Sequence, residues 1–327
     1  MNTIQSTLSR LTLGLAQTHA NMTIVPLLAA EAPAPDYLVL DQVIAEKAGR
    51  VTEISEGGSV PELVFENRSD KRVLLVDGEQ LIGARQNRVL NLSILVPGNC
   101  KLNIPVSCCE RGRWGYSGAR EFSSSGDALF SRARAAAMAA VSASMIDAGA
   151  RHSDQAGIWR DIAIKSASLS VDSSTSAMAD AYAQQGLRMD EFTGAFRAEP
   201  GQVGALVAID GRVAGVELFD SPATFARFFA KMVRSYALDA IETGPAAATA
   251  PAAEIAAAFL ARLAAASAAS FAALGEGEDL RLTGEDLVGG ALVADGRVRH
   301  LAGFDTAGLA THQQTWRASR VRARSHG

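Results

Sequence analysis

The side chains with the greatest capacity for chemistry lie in one stretch of the chain, residues 73–114. Most of this stretch has the alternating apolar pattern that is typical of β-strands. It nevertheless carries an unusual set of polar and aromatic residues: Glu79, Gln86, Asn87, Arg88, Cys108, Glu110, Arg113 and Trp114. Burying such polar groups without partners costs about 1–3 kcal/mol each. They are therefore solvated, paired with one another, or part of a ligand site.

Two glutamates and one cysteine of this stretch are candidates for catalysis. Side chains alternate along a strand, so Cys108 and Glu110 share one face and Cys109 points to the other. Glu79 and Glu110 can act as general acid and base or as metal ligands. A thiolate of Cys108 beside the arginines that follow it can act as a nucleophile. The alternative is that both cysteines are small buried residues at a strand end and that Glu79 is an exposed residue after a turn.

The remaining polar residues suit ligand recognition. Arg88 and Arg113 together can form a forked pair for a phosphate or carboxylate. Gln86 and Asn87 favour a nucleotide or sugar over an apolar ligand, and Trp114 offers a stacking surface. The alternative is a network of salt bridges between these arginines and the glutamates on a solvated sheet face. The chain lacks the P-loop, GxGxxG, HExxH, GxSxG and CxxC motifs, and its cysteines and histidines have no metal-ligand spacing.

Composition narrows the class of protein. The chain has 327 residues, 48% of them apolar, which is enough for a large core. A net charge of −4 gives no indication of nucleic-acid or membrane binding. The three cysteines do not form a disulfide framework, and the N-terminus does not have the pattern of a signal peptide. We expect a soluble, cytoplasmic protein.

The order of apolar and helical patterns predicts an α+β fold. We expect an antiparallel β-rich region carrying the candidate site at residues 1–125, a helical insertion at 126–200, hairpin-plus-helix units packed on the same core at 201–312, and a disordered basic tail at 313–327. Asp-Gly pairs between apolar runs predict tight hairpins at 77–78, 210–211 and 295–296. The glycine- and serine-rich residues 115–127 predict a mobile loop.

Two long runs of the sequence resemble a known family. Residues 77–114 resemble one signature of the bacterial ARG and Rhodanese-Phosphatase-superfamily-associated Protein domain, and Gly201–Ala240 resembles the second. This resemblance implies association with ADP-ribosylglycohydrolases, and processing of ADP-ribose or a related NAD-derived nucleotide sugar. The implied partners are a nucleotide-like small molecule and ADP-ribose-processing enzymes. A non-catalytic module that senses ADP-ribose or NAD, or docks a partner enzyme, is the alternative. Neither the residues nor the resemblance specifies a reaction or a cofactor.

Overall fold

The structure, a computed structural model, describes residues 3–116, 120–244 and 253–307. The helices are α1 (Thr3–Leu8), α2 (Leu40–Ala45), α3 (Ser131–Ala148), α4 (Gln155–Ser168), α5 (Met178–Gln184), α6 (Gly186–Ala195), α7 (Pro222–Thr243) and α8 (Ala253–Ala265). The strands are β1 (Leu11–Leu13), β2 (Gln17–His19), β3 (Met22–Ala29), β4 (Tyr37–Val39), β5 (Gly49–Glu53), β6 (Glu62–Asn67), β7 (Arg72–Leu75), β8 (Glu79–Gly83), β9 (Arg88–Leu90), β10 (Ile94–Val96), β11 (Lys101–Cys108), β12 (Glu121–Ala128), β13 (Gln202–Ile209), β14 (Arg212–Phe219), β15 (Ser267–Ala272), β16 (Glu278–Gly284), β17 (Leu287–Ala294) and β18 (Arg297–Asp305). The predicted α+β class is confirmed, and the predicted basic tail lies outside the described residues.

A large antiparallel sheet combines strands from both ends of the chain, in the order β1-β3-β13-β14-β18-β17-β16-β15, with β2 on β3. Side chains alternate between the two faces of a sheet, so apolar residues at successive strand positions make both faces of this sheet apolar. Helices cover both faces. Helices α3 and α7 cover one face, where Met232 and Phe304 share a core. Helices α1 and α8 cover the other, where Leu8 and Leu263 lie in a second core.

Two of the three predicted Asp-Gly hairpins are confirmed, and both are in this sheet. Asp210 and Gly211 have φ values of 51° and 75°, and Asp295 and Gly296 have values of 52° and 70°. Positive φ at both central residues is what a tight type I′ turn requires. The two hairpins are neighbours, because β14 pairs with β18.

The predicted hairpin at Asp77-Gly78 is wrong. Strand β7 pairs with β10 and β4 in a small three-stranded sheet, whereas β8 pairs with β9 and β12 in a different sheet. Gly78 does have a positive φ of 79°. A Cβ at this position would lie 2.6 Å from Nε of Arg134, so the glycine allows a close approach of that side chain. The Asp-Gly pair thus links two sheets.

The remaining sheet is a closed six-stranded barrel, with its strands in the order β11-β6-β5-β12-β8-β9. Its inward-facing residues include Val51, Phe65, Leu81 and Ile104, all fully buried in one apolar core. Closure leaves no unpaired edge within this sheet. All six strands come from residues 49–128, so the polar stretch of the sequence forms part of a barrel wall.

The predicted loop at residues 115–127 is wrong for its second half. Residues 121–128 form β12, which closes the barrel between β5 and β8. Phe122 is buried in the barrel core and pairs directly with Val51. Main-chain hydrogen bonds to two neighbouring strands therefore order a serine-rich segment whose composition is typical of a loop.

A buried arginine connects the large sheet to the β7–β8 link. Arg134 of α3 forms ion pairs with Glu217 of β14 and, at 3.1 Å, with Asp77. Its side chain is only 1% exposed. Burial by itself raises the pKa of Asp77, but the Arg134 charge more than offsets this, and that pKa lies below its ordinary value. The Arg134 charge therefore compensates for the burial of Asp77.

We expect Arg134→Met to lower the free energy of unfolding by about 3–5 kcal/mol, because it leaves two buried carboxylates without their cation. Urea unfolding at pH 7 measures this. The control is Arg68→Met, since Arg68 pairs with Glu66 but its side chain is 46% exposed, and such pairs contribute at most about 1 kcal/mol. Equal losses in the two variants would contradict a connecting role for Arg134.

Candidate functional site

Most of the predicted site residues meet at one end of the barrel. The connections β5–β6, β8–β9 and β11–β12 all lie at this end, because β5, β8 and β11 end there and β6, β9 and β12 begin there. We call this end the barrel mouth and define it by Glu53, Arg85, Gln86, Asn87, Arg88, Cys108, Glu110, Arg113 and Trp114. These residues lie on three separate connections or at the strand ends beside them. Only barrel closure brings them together.

Arg88 is the central residue of the barrel mouth. It pairs directly with Leu81 on one side and Cys108 on the other, so its side chain shares their inward face. The residue is 0% exposed. Nη1 donates to Oε1 of Gln86 at 3.0 Å and to the Asn87 carbonyl at 3.5 Å. Nε and Nη2 have no hydrogen-bond partner, and no carboxylate of the described residues lies within 4 Å of the guanidinium.

This bonding pattern leaves one edge of the guanidinium free. Nε–H and Nη2–H of an arginine point in parallel along the same edge, and that edge matches two oxygens of a phosphate or carboxylate. A buried charged donor without a partner is costly. Gln86 holds the opposite end of the group at Nη1, so the free edge of Arg88 is fixed in orientation.

Aromatic rings lie next to this arginine. The Trp114 ring is 5.8 Å from the Arg88 guanidinium and 5.6 Å from that of Arg85. Tyr116 is 4.8 Å from Arg85. Trp114 is 47% exposed, so part of its surface is available to a further planar group. Arginine–aromatic layers of this kind also stack on nucleobases.

Glu110 is fully engaged with protein partners. One oxygen accepts from Arg113 at 2.6 Å and from the Asn87 amide at 3.1 Å, and the other accepts from the Thr175 hydroxyl at 2.9 Å. Burial by itself raises the pKa of Glu110, but the bonds from Arg113 and Asn87 outweigh it, and that pKa lies below its ordinary value. The carboxylate therefore joins β11, the β8–β9 turn and the loop before α5.

The two amide residues also have protein partners. Gln86 donates to the Glu110 carbonyl at 3.2 Å and accepts from Arg88. The Asn87 side-chain oxygen accepts from the Gly83 amide and from Arg113, each at 3.2 Å. Arg113 donates in addition to the Ala84 carbonyl at 2.7 Å. These three residues hold the barrel mouth in shape and position Arg88.

The two cysteines point to opposite sides, as the strand alternation predicts. Cys108 faces the barrel interior beside Arg88, and its sulfur accepts from the Glu110 amide at 3.4 Å. Cys109 lies in the core that α7 shares with the large sheet. Burial raises the pKa of the Cys109 thiol well above its ordinary value, which disfavours its thiolate.

Glu79 lies apart from the other predicted site residues, at the opposite end of β8. It pairs with Lys231 of α7 at 2.7 Å, and Lys231 also pairs with Asp41 at 2.7 Å. Burial lowers the pKa of Lys231, but the two carboxylates outweigh it, and that pKa is raised. Glu79 therefore attaches helix α7 to the barrel wall.

Sequence reasoning missed Glu53, which completes the barrel mouth. It is the last residue of β5 and pairs with the inward-facing Leu63. Its Oε1 accepts from the Arg85 amide at 3.4 Å, whereas Oε2 is buried without a partner. The alternation of Val51 and Glu53 on one face of a strand was the signal that could have revealed it.

The chemistry of the barrel mouth suits an anion more than a metal ion. Three guanidinium groups, of Arg85, Arg88 and Arg113, stand against two carboxylates, of Glu53 and Glu110. Within the described residues, no group of three or more His, Cys, Asp or Glu side chains is arranged to hold a metal.

We expect Glu110→Gln to lower the free energy of unfolding at pH 7 by about 1–3 kcal/mol. The folded pKa of Glu110 lies below the unfolded value of about 4.3. The carboxylate therefore stabilises the fold above that value, and the benefit is lost as the pH falls towards the folded pKa. Urea unfolding measures this: the difference in the free energy of unfolding between Glu110→Gln and wild type should be smaller at pH 3.5 than at pH 7. Glu56→Gln is the control, because that side chain is 95% exposed. A difference that does not change with pH would contradict the assignment.

Comparison with known proteins identifies the family. No curated protein and no solved structure matches the chain. No helix among the described residues is long and apolar enough to span a membrane. The family model of the ARG and Rhodanese-Phosphatase-superfamily-associated Protein domain matches residues 10–304, which include every strand of the barrel and most of the large sheet. The chain therefore belongs to this family.

Proposed function

We propose that the barrel mouth binds a phosphorylated nucleotide sugar of the ADP-ribose class. The observation that carries the proposal is the buried free edge of Arg88, which offers two parallel donors to an anion. The family name links these proteins to ARG, and the association with ADP-ribosylglycohydrolases that this implies supports a ligand of that class. The diphosphate of such a ligand supplies the anionic oxygens that the Arg88 edge lacks.

The neighbouring groups suit the other parts of the same ligand. Trp114 and the Arg85 guanidinium form a layer on which an adenine ring can stack. Arg113 keeps the connection after β11 close to the β8–β9 turn through Glu110 and Asn87. In this proposal Gln86, Asn87, Glu110 and Arg113 are positioning residues, and Arg88 and Trp114 contact the ligand.

The first candidate function is catalysis, in which the protein processes the ligand by a hydrolase- or transferase-type reaction. Cys108 lies beside Arg88 and is the candidate nucleophile closest to the proposed anion site. A non-catalytic module that senses the ligand, or docks an ADP-ribose-processing enzyme, is the second candidate. The observation that favours it is the full engagement of Glu79 and Glu110 with protein partners.

We expect Arg88→Met to abolish ligand binding without destabilising the free protein. A ligand at 100 times its dissociation constant adds about 2.7 kcal/mol to the free energy of unfolding of the wild-type protein. Thermal unfolding with ADP-ribose, NAD, AMP and ribose 5-phosphate should show this gain in wild type and not in the variant. Removing a buried charge that has no carboxylate partner offsets the loss of the Nη1 bond to Gln86, so it should leave the stability of the free protein unchanged or raise it by up to about 3 kcal/mol.

The control for charge is again Arg68→Met, which lies away from the barrel mouth and should keep the full ligand effect. If Arg88→Met destabilises the free protein by several kcal/mol, Arg88 is a structural residue and the proposal is wrong. If no compound of the panel stabilises wild type, the proposed ligand class is wrong.

Turnover separates the two candidate functions. The enzyme form predicts that wild type converts the bound ligand and that Cys108→Ala lowers kcat at least a hundredfold with little change in Kd. The sensing form predicts saturable binding, no product, and no effect of Cys108→Ala on Kd. Product chromatography after prolonged incubation, with Cys100→Ala as the matched control, measures this.

A further inference from the structure

We infer that Glu53 is a second ligand-binding residue of the barrel mouth and that it accepts a hydrogen bond from a sugar hydroxyl. This inference rests on the proposed function and narrows the ligand to one that carries both an anion and a hydroxyl donor. It draws on a residue outside residues 73–114, on a strand to which the sequence assigned no role.

The strand register places Glu53 opposite Arg88. In the ring of six strands, β5 and β9 are three steps apart in either direction. Followed through β8 and β12, the register from Arg88 leads to Gly49 at the start of β5. Through β11 and β6, the register continued beyond the last paired residues, Pro105–Glu62 and Glu53–Leu63, leads to the position of Gly57, past the end of β5. Strands of a closed barrel are tilted, so the position level with Arg88 lies midway between these two. Glu53 occupies it.

A six-stranded barrel is narrow. Eight strands already give an interior only just wide enough for side chains to fill. Side chains that point inward from opposite walls at one level therefore approach the same axis. The register therefore predicts that a ligand held by the free edge of Arg88 approaches the Glu53 carboxylate.

The two residues nevertheless do not satisfy each other. Oε2 of Glu53 is buried without a hydrogen-bond partner, and so are Nε and Nη2 of Arg88. Within the described part of the chain, no cationic nitrogen lies within 4 Å of the Glu53 carboxylate. Unpaired buried polar atoms are uncommon in proteins and call for an explanation. An acceptor and a pair of donors, unpaired at one level of one opening, are complementary to a ligand with a donor and an anion.

The chemistry of the two groups defines the ligand. A carboxylate oxygen accepts only, so it repels phosphate and bonds to hydroxyl or amino hydrogens. A phosphorylated sugar has phosphate oxygens for Arg88 and hydroxyl groups for Glu53. Inorganic phosphate or pyrophosphate has the first feature without the second. Glu53 should therefore distinguish sugar phosphates from simple phosphates.

The test compares two probes, ribose 5-phosphate and pyrophosphate, by calorimetric titration of wild type, Glu53→Leu and Glu53→Gln. We expect Glu53→Leu to weaken ribose 5-phosphate at least tenfold, while pyrophosphate binding is unchanged or strengthened because a negative charge is removed. Glu53→Gln keeps a smaller acceptor and should have an intermediate effect. Glu56→Leu is the matched control, since it removes a charge from the same connection at an exposed position, and should leave both probes within threefold.

The outcomes separate this inference from the proposed function. One outcome is that Arg88→Met abolishes binding of both probes, while the two Glu53 variants either leave the affinity for both probes unchanged or lower both equally. In that case the inference about Glu53 is wrong and the anion site at Arg88 stands. If wild type binds neither probe, the proposed function fails and this inference fails with it.

Discussion

The ion cluster of Arg134 is the interaction on which the arrangement of the two main sheets depends. Its guanidinium contacts Glu217 in the large sheet and Asp77 in the link that enters the barrel. Taking such charges out of water costs several kcal/mol per ion, and only the geometry of the partners compensates for it. His300 lies 3.2 Å from Glu217, so the carboxylate has a further partner. The cluster is favourable in only one relative placement of helix α3, the β7–β8 link and the large sheet.

A second ionic contact extends the same constraint to helix α7. Lys231 of α7 reaches Glu79 on β8 and Asp41 on α2, while the apolar face of the helix packs on the large sheet. Arg134 and Glu79 thus fix the end of the barrel that lies opposite the barrel mouth, and they do so from two directions. The opposite end, at Arg88, has the reverse character, because its central guanidinium has no carboxylate partner and Nε and Nη2 form no hydrogen bond. Charges that are paired in one place and unpaired in another separate the structural residues of the polar stretch from the residues proposed to contact a ligand.

Local patterns predicted much of the fold. The Asp-Gly hairpins of the large sheet follow from turn chemistry between residues close together in sequence. The Asp77-Gly78 link has the same local signal but a different partner, because pairing in a sheet is decided by residues far along the chain. Strand β12 was missed for a similar reason. Its serine-rich residues have no strong strand propensity, and two neighbouring strands decide their conformation.

The candidate site was predictable as a set of residues but not as a geometry. Polar residues in apolar strands indicated that the stretch holds more than core, and most of them do meet at the barrel mouth. Which of them are free could not be read from their types, since Gln86, Arg88 and Glu110 look equally reactive in the sequence. The bonds of Glu110 to Asn87, Arg113 and Thr175 arise only when three connections converge. Closure of the barrel also brings Arg88 and Glu53, 35 residues apart in sequence, to the same barrel mouth, where each keeps unpaired atoms. The geometry of the candidate site in this chain is therefore a property of barrel closure, and its unpaired buried atoms, rather than its polar residue types, are the basis of the proposed ligand.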